Sequence, residues 1–588
     1  MNLLKENKHV IKRILLLYKP YKTKLALIIT CVTISSVISI LYPLISKQIM
    51  DVGILEKNLG IVAKLSIITL LLTLIDMSVG FIGTRYRSYL ASVITYDLHR
   101  MVFKHLLKLK VSFFRKIDFT EEMNNINIDI NNISKVSDQG ILFTISQIFK
   151  MIGGFLGLTL IDWRLSLIII LIIPIRYSFM RYFAMRKKKL VEDYIDYNKE
   201  YSSWYEDTIN GIKDIKLFGT DRIKIGEFIR KQRNIIKVNI KLASLNKANE
   251  LQEVILTKWA VCLIYILGTY MIIQSKLSIG DLFAFVIYVF YVMKPISTIS
   301  NIGNEFSNII PSAKRLFEFF EIECETDEKE KGKLLNLNTD NIEGKIKFRN
   351  VTVCYKNGQL ALDRVNFTIN SGEKVAIICP NGESKSVILN IILRFVKPDS
   401  GNIFLDRTNI NDIKLKEYRN LISFVSQDIH LFDKTIMENI TLNLKADENK
   451  IRNVAKKSGV YDFISKMPKS YNTKVGSHGN TLSNIQKQNI AIARGLMKNF
   501  SVLLLDETTF NYDSKSFLHF NEILINEFKD KTVIVATHNL EILKRLDKII
   551  VLKQGRIKDI GTHEELFKRS YEYQEIINYN IQRSKMMC

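Results

Sequence analysis

The first half of the chain alternates between long apolar runs and long charged segments. Six apolar runs have the length that a helix needs to cross a bilayer, about 20 residues, the sixth continuing past its first 14 positions. They occupy residues 25–45, 61–82, 142–161, 165–183, 254–273 and 279–292 onward. Residues 1–23 are basic and amphipathic and contain no small-residue cleavage site. This pattern predicts an interfacial helix on the inner leaflet, not a signal peptide.

The connections between the runs predict the orientation in the membrane. Long charged segments lie at about 86–134 and 184–248, whereas the other connections are short. Six spans place both long segments and both chain ends on one side, and basic clusters such as 186–189 mark that side as cytoplasmic. The abundance of Lys, Ile and Asn is typical of AT-rich bacterial genomes. We therefore predict a multi-pass protein of the bacterial cytoplasmic membrane, with both termini in the cytoplasm.

The net charge of +25 by itself fits either nucleic-acid binding or basic cytoplasmic loops. The basic residues flank apolar runs and do not interleave with aromatic residues, which excludes a nucleic-acid partner. The six cysteines are scattered without C-x-x-C spacing. Neither a disulfide framework nor a zinc site is therefore indicated.

Asp76, Lys258 and Lys294 are ionisable residues that lie inside apolar runs. A charge at mid-bilayer costs at least about 2.5 kcal/mol, so each should face a cavity or a partner. For Asp76 two interpretations stay open, contact with a transported substrate or an Asp–Lys pair. For the lysines the pattern favours a structural pair or a side chain that extends to the interface.

From residue 344 the pattern becomes strand-rich, after an acidic and mixed linker that we place at 316–343. The apolar strand 375–378 leads into Cys379-Pro-Asn-Gly382-Glu-Ser384-Lys385-Ser386, and an apolar helical pattern follows at 387–393. Strand, tight loop and helix with Lys-Ser at the end of the loop is the layout of a P-loop, which binds phosphates through backbone N–H groups. Two glycines of the usual spacing are replaced, by Cys379 and Ser384.

A second strand, 502–506, ends in Asp506 followed by Glu507. Two acids in this position fit a Mg²⁺-binding carboxylate and a residue that orients or deprotonates an attacking water. Further along the chain, His538 directly follows the apolar strand 533–537. Gln427 comes after a third apolar strand, 422–425.

Leu482-Ser483-Asn484-Ile485-Gln486 precedes the Asp-Glu strand by about twenty residues and resembles the signature sequence of ABC transporters. Gln427, His538 and Asp513 match the family's Q-loop, switch histidine and D-loop. Asp162-Trp-Arg-Leu and Ser278-Ile-Gly-Asp-Leu match its membrane domain. The chain is identified as resembling ABC exporters that fuse six spans to one nucleotide-binding domain.

The resemblance implies an α-helical membrane domain with six long transmembrane helices, at 1–315. It also implies an α/β P-loop ABC ATPase domain with a β subdomain and a helical subdomain, at 344–588. Two cytoplasmic turns, near 115–125 and 209–219, would be coupling helices that dock on ATPase domains. ATP and Mg²⁺ are the implied cofactors.

The resemblance also assigns the site residues. Glu507, His538 and Gln427 would carry catalysis. ATP would be bound by residues of both halves of a composite site: Tyr355, Gly382, Ser384, Lys385, Ser386, Val387, Ser483, Gln486 and Asp513. The Mg²⁺ ligands would be Ser386, Gln427 and Asp506.

The replaced glycines bear on the partner. In this family each ATP lies between the P-loop of one subunit and the signature of the other. The signature also has its two glycines replaced, by Asn484 and Ile485, so a homodimer would carry the altered P-loop and the altered signature in both of its sites. A P-loop glycine is required where the backbone takes φ > 0 or approaches phosphate without a Cβ, and a side chain at such a point would cost about 1–3 kcal/mol. We therefore expect a heterodimer with a more intact half-transporter, although a homodimer stays open. A non-hydrolysing nucleotide-sensing membrane regulator, or a decayed paralogue, is the alternative. Peptides, lipids and drugs stay open as substrates, and no nucleic acid is expected.

Overall fold

The computed structural model describes residues 8–114, 119–136, 141–325, 342–355, 358–380, 383–442, 444, 446–506, 522 and 528–578, with backbone only at 141–143, 297–308 and 383. The chain divides into two compact units. The membrane unit comprises Met1–Leu107 and Asp118–Ile322. The sheet unit comprises Lys108–Ile117 and Glu323–Cys588, so a short stretch from the first half of the sequence belongs to it.

Helices account for nearly all of the described chain up to residue 320. In order they are α1 (Lys8–Tyr18), α2 (Lys22–Gln48), α3 (Leu59–Leu106), α4 (Val111–Phe114), α5 (Phe119–Ser134), α6 (Ile141–Ile161), α7 (Trp163–Asn210), α8 (Ile212–Phe218), α9 (Asp221–Ile273) and α10 (Ile279–Phe320). A 3₁₀ turn, Lys19–Tyr21, joins α1 to α2, and a π-helical segment, Ile49–Ile54, follows α2.

Six helical segments of the described chain are long and apolar enough to cross a membrane, in α2, α3, α6, α7, α9 and α10. This finding confirms the six predicted spans. The helices α3 and α7 each contain 48 residues and α9 contains 53. At 1.5 Å per residue, a helix of 48 residues is about 72 Å long, against about 30 Å of hydrocarbon. Much of each predicted charged segment is therefore an extension of a transmembrane helix.

The spans pack closely where small residues allow it. Tyr288 of α10 is fully buried, and its hydroxyl donates a hydrogen bond to the carbonyl of Ile40 in α2 at 2.8 Å. Gly157 of α6 faces the Tyr288 ring, and a Cβ at this position would lie 2.6 Å from it. Gly157 thus lets α6 pack against α10 with the aromatic ring between them.

The beginning of α10 is fixed by polar side chains. Ser278 and Asp281 form a reciprocal capping box, which satisfies two N–H groups of the first turn. Asp51, in the π-helical segment, accepts hydrogen bonds from the Ser278 hydroxyl at 2.5 Å and from the Gly280 N–H at 2.7 Å. Lys47 pairs with Asp281 at 2.7 Å. These contacts give a physical reason for the Ser-Ile-Gly-Asp sequence at this point.

A second polar cluster holds the other end of α10. Arg315 forms a two-pronged ion pair with Asp129 of α5, which is 3% exposed, and Asn132 donates to the Ser312 hydroxyl at 3.0 Å. The hydrogen bond from Arg315 to Asp129 raises the pKa of Arg315. A buried carboxylate needs such a partner, so the pair holds α5 against α10.

The sheet unit contains two sheets. The first has the strand order β2-β1-β4-β5 and is antiparallel, with β1 (Ile346–Cys354), β2 (Leu360–Ile369), β4 (Ser400–Leu405) and β5 (Thr408–Asn409). The second has the order β10-β9-β3-β8-β7-β6, with β3 (Lys374–Ile378), β6 (Ile422–Val425), β7 (Val502–Asp506), β8 (Thr532–Ala536), β9 (Lys548–Lys553) and β10 (Arg556–Gly561). Five of its strands run parallel, and β10 is the antiparallel edge.

Eight further helices belong to this unit: α11 (Glu383–Ile392), α12 (Leu415–Asn420), α13 (Ile436–Thr441), α14 (Glu448–Lys457), α15 (Val460–Ile464), α16 (Asn484–Met497), α17 (Leu540–Leu543) and α18 (His563–Arg569). The helix α11 is packed into one apolar core with strands of both sheets. The helices α13 to α16 share a separate core. The predicted α/β domain with a β subdomain and a helical subdomain is confirmed.

Candidate nucleotide site

The parallel register of the second sheet brings four predicted segments to one edge. Ile377 of β3 pairs with Ala536 of β8, which in turn pairs with Asp506 of β7. Val425 of β6 pairs with Leu505 of β7. The chain therefore leaves β3, β8, β7 and β6 at neighbouring points, into the P-loop, the His538 turn, the segment after Asp506 and the Gln427 loop. Ligands of open parallel sheets bind at this carboxyl edge.

The P-loop lysine and the switch histidine are in direct contact. Lys385 is 1% exposed, and its Nζ lies 2.5 Å from Nε2 of His538. An ammonium group can only donate, so Nε2 must accept and the imidazole proton must lie on Nδ1. Two groups expected to bind the terminal phosphate, 153 positions apart in the sequence, thus converge on one point.

The replaced P-loop glycines do not produce the backbone strain that we expected. Cys379 is 2% exposed and is part of the core, while Ser384 lies in the first turn of α11 and donates its hydroxyl to the carbonyl of Ala361 at 3.3 Å. Neither residue has a positive φ. The part of the expected cost that comes from left-handed backbone therefore does not apply to them, whereas a cost from a side chain close to phosphate stays a prediction. Gly382 lies outside the described residues.

Three residues predicted to hold Mg²⁺ come from adjacent segments of this edge. Asp506 is half-buried at the end of β7, Gln427 is exposed two residues after β6, and Ser386 is half-buried in the first turn of α11. Among the residues described, no group of three His, Cys, Asp or Glu side chains could hold a metal. One carboxylate with hydroxyl and amide oxygens nevertheless fits Mg²⁺, which keeps several waters and binds substrate phosphates.

Of the other residues predicted to contact nucleotide or water, the structure describes only some. Val387 is 9% exposed and packs into the core beneath the first turn of α11. Tyr355 follows β1, where its N–H donates to the carbonyl of Gln359 at 2.8 Å, and its side chain packs partly against the same core. Glu507 and Asp513 lie outside the described residues, so their roles stay predictions.

The signature residues begin a helix of the helical subdomain. Ser483 is the N-cap of α16, where its hydroxyl accepts from the Gln486 N–H at 3.3 Å while Gln486 Oε1 accepts from the Ser483 N–H at 2.9 Å. Asn484 and Ile485, the replacements for the signature glycines, form the first turn, which is helical and has no positive φ. Any effect of Ile485 on a partner's nucleotide is therefore one of bulk, because its backbone is unstrained.

Sequence analysis missed the role of Arg494, on the same helix. Its guanidinium donates to the carbonyls of Asn439 at 2.6 Å and His430 at 2.8 Å, and to the side chain of Asn439 at 2.8 Å. Burial lowers the pKa of Arg494. Because His430 lies three residues after Gln427, Arg494 ties the signature helix to the Q-loop. The sequence signal that could have indicated this role was a basic residue on the apolar face of a helix.

In the membrane unit, Asp76 of α3 has hydroxyl neighbours. The Ser35 hydroxyl of α2 donates to Asp76 Oδ1 at 2.5 Å, and one turn away Tyr42 donates to Thr73 at 3.2 Å. The Tyr291 phenol of α10 lies near enough to Asp76 to interact with it electrostatically. Of the two interpretations left open for Asp76, the Asp–Lys pair is not formed among the described residues, where a hydroxyl contacts the carboxylate instead. Lys258 and Lys294 are exposed on the surface of this unit.

A buried charge pair elsewhere in the membrane unit was not predicted. Arg176 of α7 is 2% exposed and lies 2.7 Å from the Glu253 carboxylate of α9. Arg176 lies near the middle of the fourth apolar run, at 165–183. A single Arg two residues after Pro174, inside a strongly apolar context, was the signal that could have found the pair.

Residues 25–296 match the family described as the ABC transporter transmembrane region, and residues 362–510 match the ABC transporter family. The chain therefore belongs to the ABC transporters, as an exporter half that joins a six-span membrane domain to an ABC ATPase domain. It is a multi-pass membrane protein.

Particular relatives resemble the chain over nearly its whole length. It is 28% identical over 562 residues to an ATP-dependent lipid A-core flippase of Wigglesworthia glossinidia brevipalpis, covering 95% of each chain. It is 26% identical over 574 residues to the uncharacterized ABC transporter ATP-binding protein YfiC of Bacillus subtilis (strain 168), covering 97% of this chain and 94% of the relative. A solved structure of a bacterial Atm1-family ABC exporter with ATP bound has the same fold, with a TM-score of 0.80 and 22% identity, over 95% of this chain and 99% of that one.

Lys385 and His538 are expected to have separable effects. Lys385→Ala should raise the dissociation constant of MgATP at least about tenfold, since a charge-assisted hydrogen bond contributes about 1.5–3 kcal/mol. His538→Ala should leave that constant within about threefold and lower hydrolysis by about a hundredfold. A fluorescent ATP analogue and phosphate release measure the two quantities. His430→Ala, an exposed histidine of the same unit, is the control. Normal ATP binding by Lys385→Ala, or normal turnover by His538→Ala, would contradict the assignment.

Proposed function

We propose that this chain is one half of an ATP-driven exporter that moves an amphipathic molecule, a lipid or a peptide, out across a bacterial cytoplasmic membrane. The observation that carries the proposal is the contact between Lys385 and His538 in a chain that also contains six membrane-spanning helices. A phosphate-binding point of this kind gives ATP different contacts before and after hydrolysis. The membrane helices provide the element whose conformation those contacts can bias. Both termini and the ATPase domain lie in the cytoplasm.

In the proposed mechanism, this chain's residues bind and orient the nucleotide. Lys385 and the N–H groups at the start of α11 hold the phosphates. Ser386, Gln427 and Asp506 would hold Mg²⁺, which would neutralise charge that develops on the phosphates. Glu507 orients or deprotonates the attacking water. His538 exchanges its contact with Lys385 for a hydrogen bond that it donates to the terminal phosphate, which requires the proton to lie on the ring nitrogen that faces the phosphate. Closure around ATP opens the membrane cavity outward, and hydrolysis resets it.

The second half of each composite site belongs to another subunit. Ser483 and the first turn of α16 would face the partner's ATP, as an N-terminus of a 14-residue helix favours anions. Ile485 adds a branched side chain beside that phosphate. The P-loop of this chain has no positive-φ strain at Cys379 or Ser384, so its own ATP is held better than the partner's. We therefore propose a heterodimer in which the partner supplies an intact signature.

The hydroxyl-rich surroundings of Asp76 support a cargo with a positive charge. Ser35 and the phenol of Tyr291 surround a carboxylate that lies within an apolar span, where an ionised group needs a partner. A cationic head group over an apolar body meets both requirements. The cargo of this exporter is accordingly an amphipathic cation, or an amphipathic molecule that carries one.

The exporter proposal predicts nucleotide-dependent transport of an amphipathic cation. The tagged protein is purified with whatever subunit accompanies it and reconstituted into liposomes. Molecules whose ATPase domain faces outward should then move rhodamine 6G into the liposomes when MgATP is added. Glu507→Gln should bind MgATP, abolish vanadate trapping of nucleotide and reduce dye transport to the level without ATP, because the water is no longer activated. Nucleotide binding without turnover in every preparation would instead identify a non-hydrolysing regulator and contradict the proposal.

The heterodimer proposal predicts that the signature limits hydrolysis more than the P-loop does. Homodimers made by overexpression should hydrolyse ATP slowly, and Asn484→Gly/Ile485→Gly should raise the rate at least about tenfold. Cys379→Gly/Ser384→Gly should change it less than about threefold, since those side chains cause no φ strain. Phosphate release by the purified homodimers measures the effect, with Glu507→Gln added to each as the blank. A pure homodimer with unmodified sequence and full ATPase activity would refute the proposal.

The cargo proposal predicts a specific effect of the Asp76 charge. Asp76→Asn should lower rhodamine 6G transport at least about tenfold, because the ion pair with the dye is lost, and should leave basal ATP hydrolysis within about twofold. Ser35→Ala should have a smaller effect in the same direction. Ser78→Ala is the matched control, since its hydroxyl bonds to the Leu74 carbonyl of its own helix. Equal transport by Asp76→Asn and wild type would remove the cation from the proposal.

A further inference from the structure

Two segments far apart in the sequence form a small strand pair in the sheet unit. Leu109 forms an antiparallel bridge with Cys324, and the Glu325 N–H donates to the carbonyl of Lys108 at 2.6 Å. Lys110 pairs with Glu323, an exposed contact. We call residues 108–110 and 323–325 the exit pair, because the first follows α3 and the second follows α10. Leu109 is 3% exposed, so the exit pair is anchored by burial as well as by hydrogen bonds.

An ion pair also holds the exit pair against α12 of the same unit. The guanidinium of Arg419, on α12, donates to both carboxylate oxygens of Glu325, at 2.9 Å and 2.5 Å. It also lies 4.7 Å from the Phe395 ring centroid and donates to the Leu393 carbonyl at 3.1 Å. The side chains of Arg419 and Glu325 are only 27% and 19% exposed. An arginine that donates to both oxygens of a carboxylate and stacks on an aromatic ring is held in a well-defined geometry.

Arg419 is in turn tied to the strand that leads to the Q-loop. Lys498, just after α16, donates to the backbone carbonyls of Arg419 and of Ile422, the latter at 2.7 Å. Burial, with a contribution from the Arg419 charge, lowers the pKa of Lys498. Ile422 is the first residue of β6, and Gln427 follows two residues after the end of that strand. Displacement of β6 is therefore accompanied by displacement of Arg419.

The two helices that precede the segments of the exit pair, α3 and α10, contact each other at their C-terminal ends. His105, in the last turn of α3, contacts the rings of Phe319 and Phe320 at the end of α10, with centroids 5.2 Å and 5.6 Å apart. One residue, Leu107, separates α3 from the exit pair, and two residues separate α10 from it. Such short connections leave little slack, so a shift of the exit pair must move both helix ends.

We propose that the Glu325–Arg419 pair is a mechanical connection that carries the nucleotide-dependent position of the Q-loop strand to α3 and α10. This proposal rests on the proposed function of the chain as an ATP-driven exporter. Glu325 and Arg419 are positioning residues: neither contacts nucleotide, and both act through β6 and the exit pair. The connection is additional to the two coupling turns, which lie elsewhere in the sequence.

The test separates movement of the ATPase domain from movement of the membrane helices. Hydrogen exchange is measured by mass spectrometry on the full protein in nanodiscs, without nucleotide and after trapping with MgATP and vanadate. In wild type, trapping should protect peptides of α16 and change the exchange of the turn at Ile49–Asn58. In Glu325→Gln, which keeps the side-chain shape, α16 should be protected as in wild type, while the change at Ile49–Asn58 should shrink at least about threefold.

Matched variants make the outcome decisive. Glu323→Gln removes an exposed ion pair two residues away, with 65% of the side chain exposed, and should behave as wild type. Arg419→Lys keeps the charge without the two-pronged geometry and should reproduce the Glu325→Gln defect, and the double variant Glu325→Gln/Arg419→Lys should be no worse than either. An unchanged response at Ile49–Asn58 in Glu325→Gln, or additive losses in the double variant, would overturn the connection. A missing response in wild type would instead overturn the exporter mechanism itself.

Discussion

The register of four parallel strands is the constraint on which the nucleotide site depends. Each of β3, β8, β7 and β6 leads into a different segment of the site, and the residues of the site are separated by more than 150 positions at the extremes. Backbone pairing of Ile377 with Ala536, and of Ala536 with Asp506, fixes the heights at which the strands end. A slip of one residue would reverse the direction of every side chain in that strand. The apolar strand interiors, nearly all fully buried, prevent such a slip.

The bilayer imposes the corresponding constraint on the other unit. Backbone polar groups in hydrocarbon must be satisfied within helices, so polar side chains are needed only where helices begin, end or contact each other. In the described part of the membrane unit, three contacts illustrate this rule. Ser278 and Asp51 fix the start of α10, Asp129 and Arg315 fix its other end, and Arg176 pairs with Glu253 between α7 and α9. The contact of Ser35 with Asp76 joins α2 to α3 in the same way, and the cargo proposal depends on the additional observation that this carboxylate lies within an apolar span.

The sequence predicted local patterns well and pairwise contacts poorly. Apolar runs predicted six spans, and a strand followed by Lys-Ser predicted the P-loop layout, because both signals repeat within a few residues. The family resemblance assigned Lys385 and His538 to the phosphates of ATP but did not predict their direct contact, and Glu325–Arg419 and Arg176–Glu253 left no periodic signal. The expected strain at Cys379 and Ser384 was wrong, because it was inferred from residue type and the backbone there has no positive φ. The acidic stretch that contains Glu325 was predicted as linker for a similar reason: charge without periodicity indicates solvent, yet Glu325 is mostly buried.

The four longest helices are connected in two pairs, and this pairing bears on how movement can enter the membrane unit. The short helix α8, bounded by Gly211 and by Gly219 with φ of 62°, joins α7 to α9 and exposes Leu217 and Phe218. We predict from the resemblance that α8 is a coupling turn, so that a displacement of α8 would reach α7 and α9 together. The exit pair, through its bridge, joins the segments that follow α3 and α10. An input at only one of these points would move one pair of helices against the other and strain the contacts between them. Inputs at both points would let the pairs move in concert, since packed helices switch between discrete arrangements and do not deform continuously.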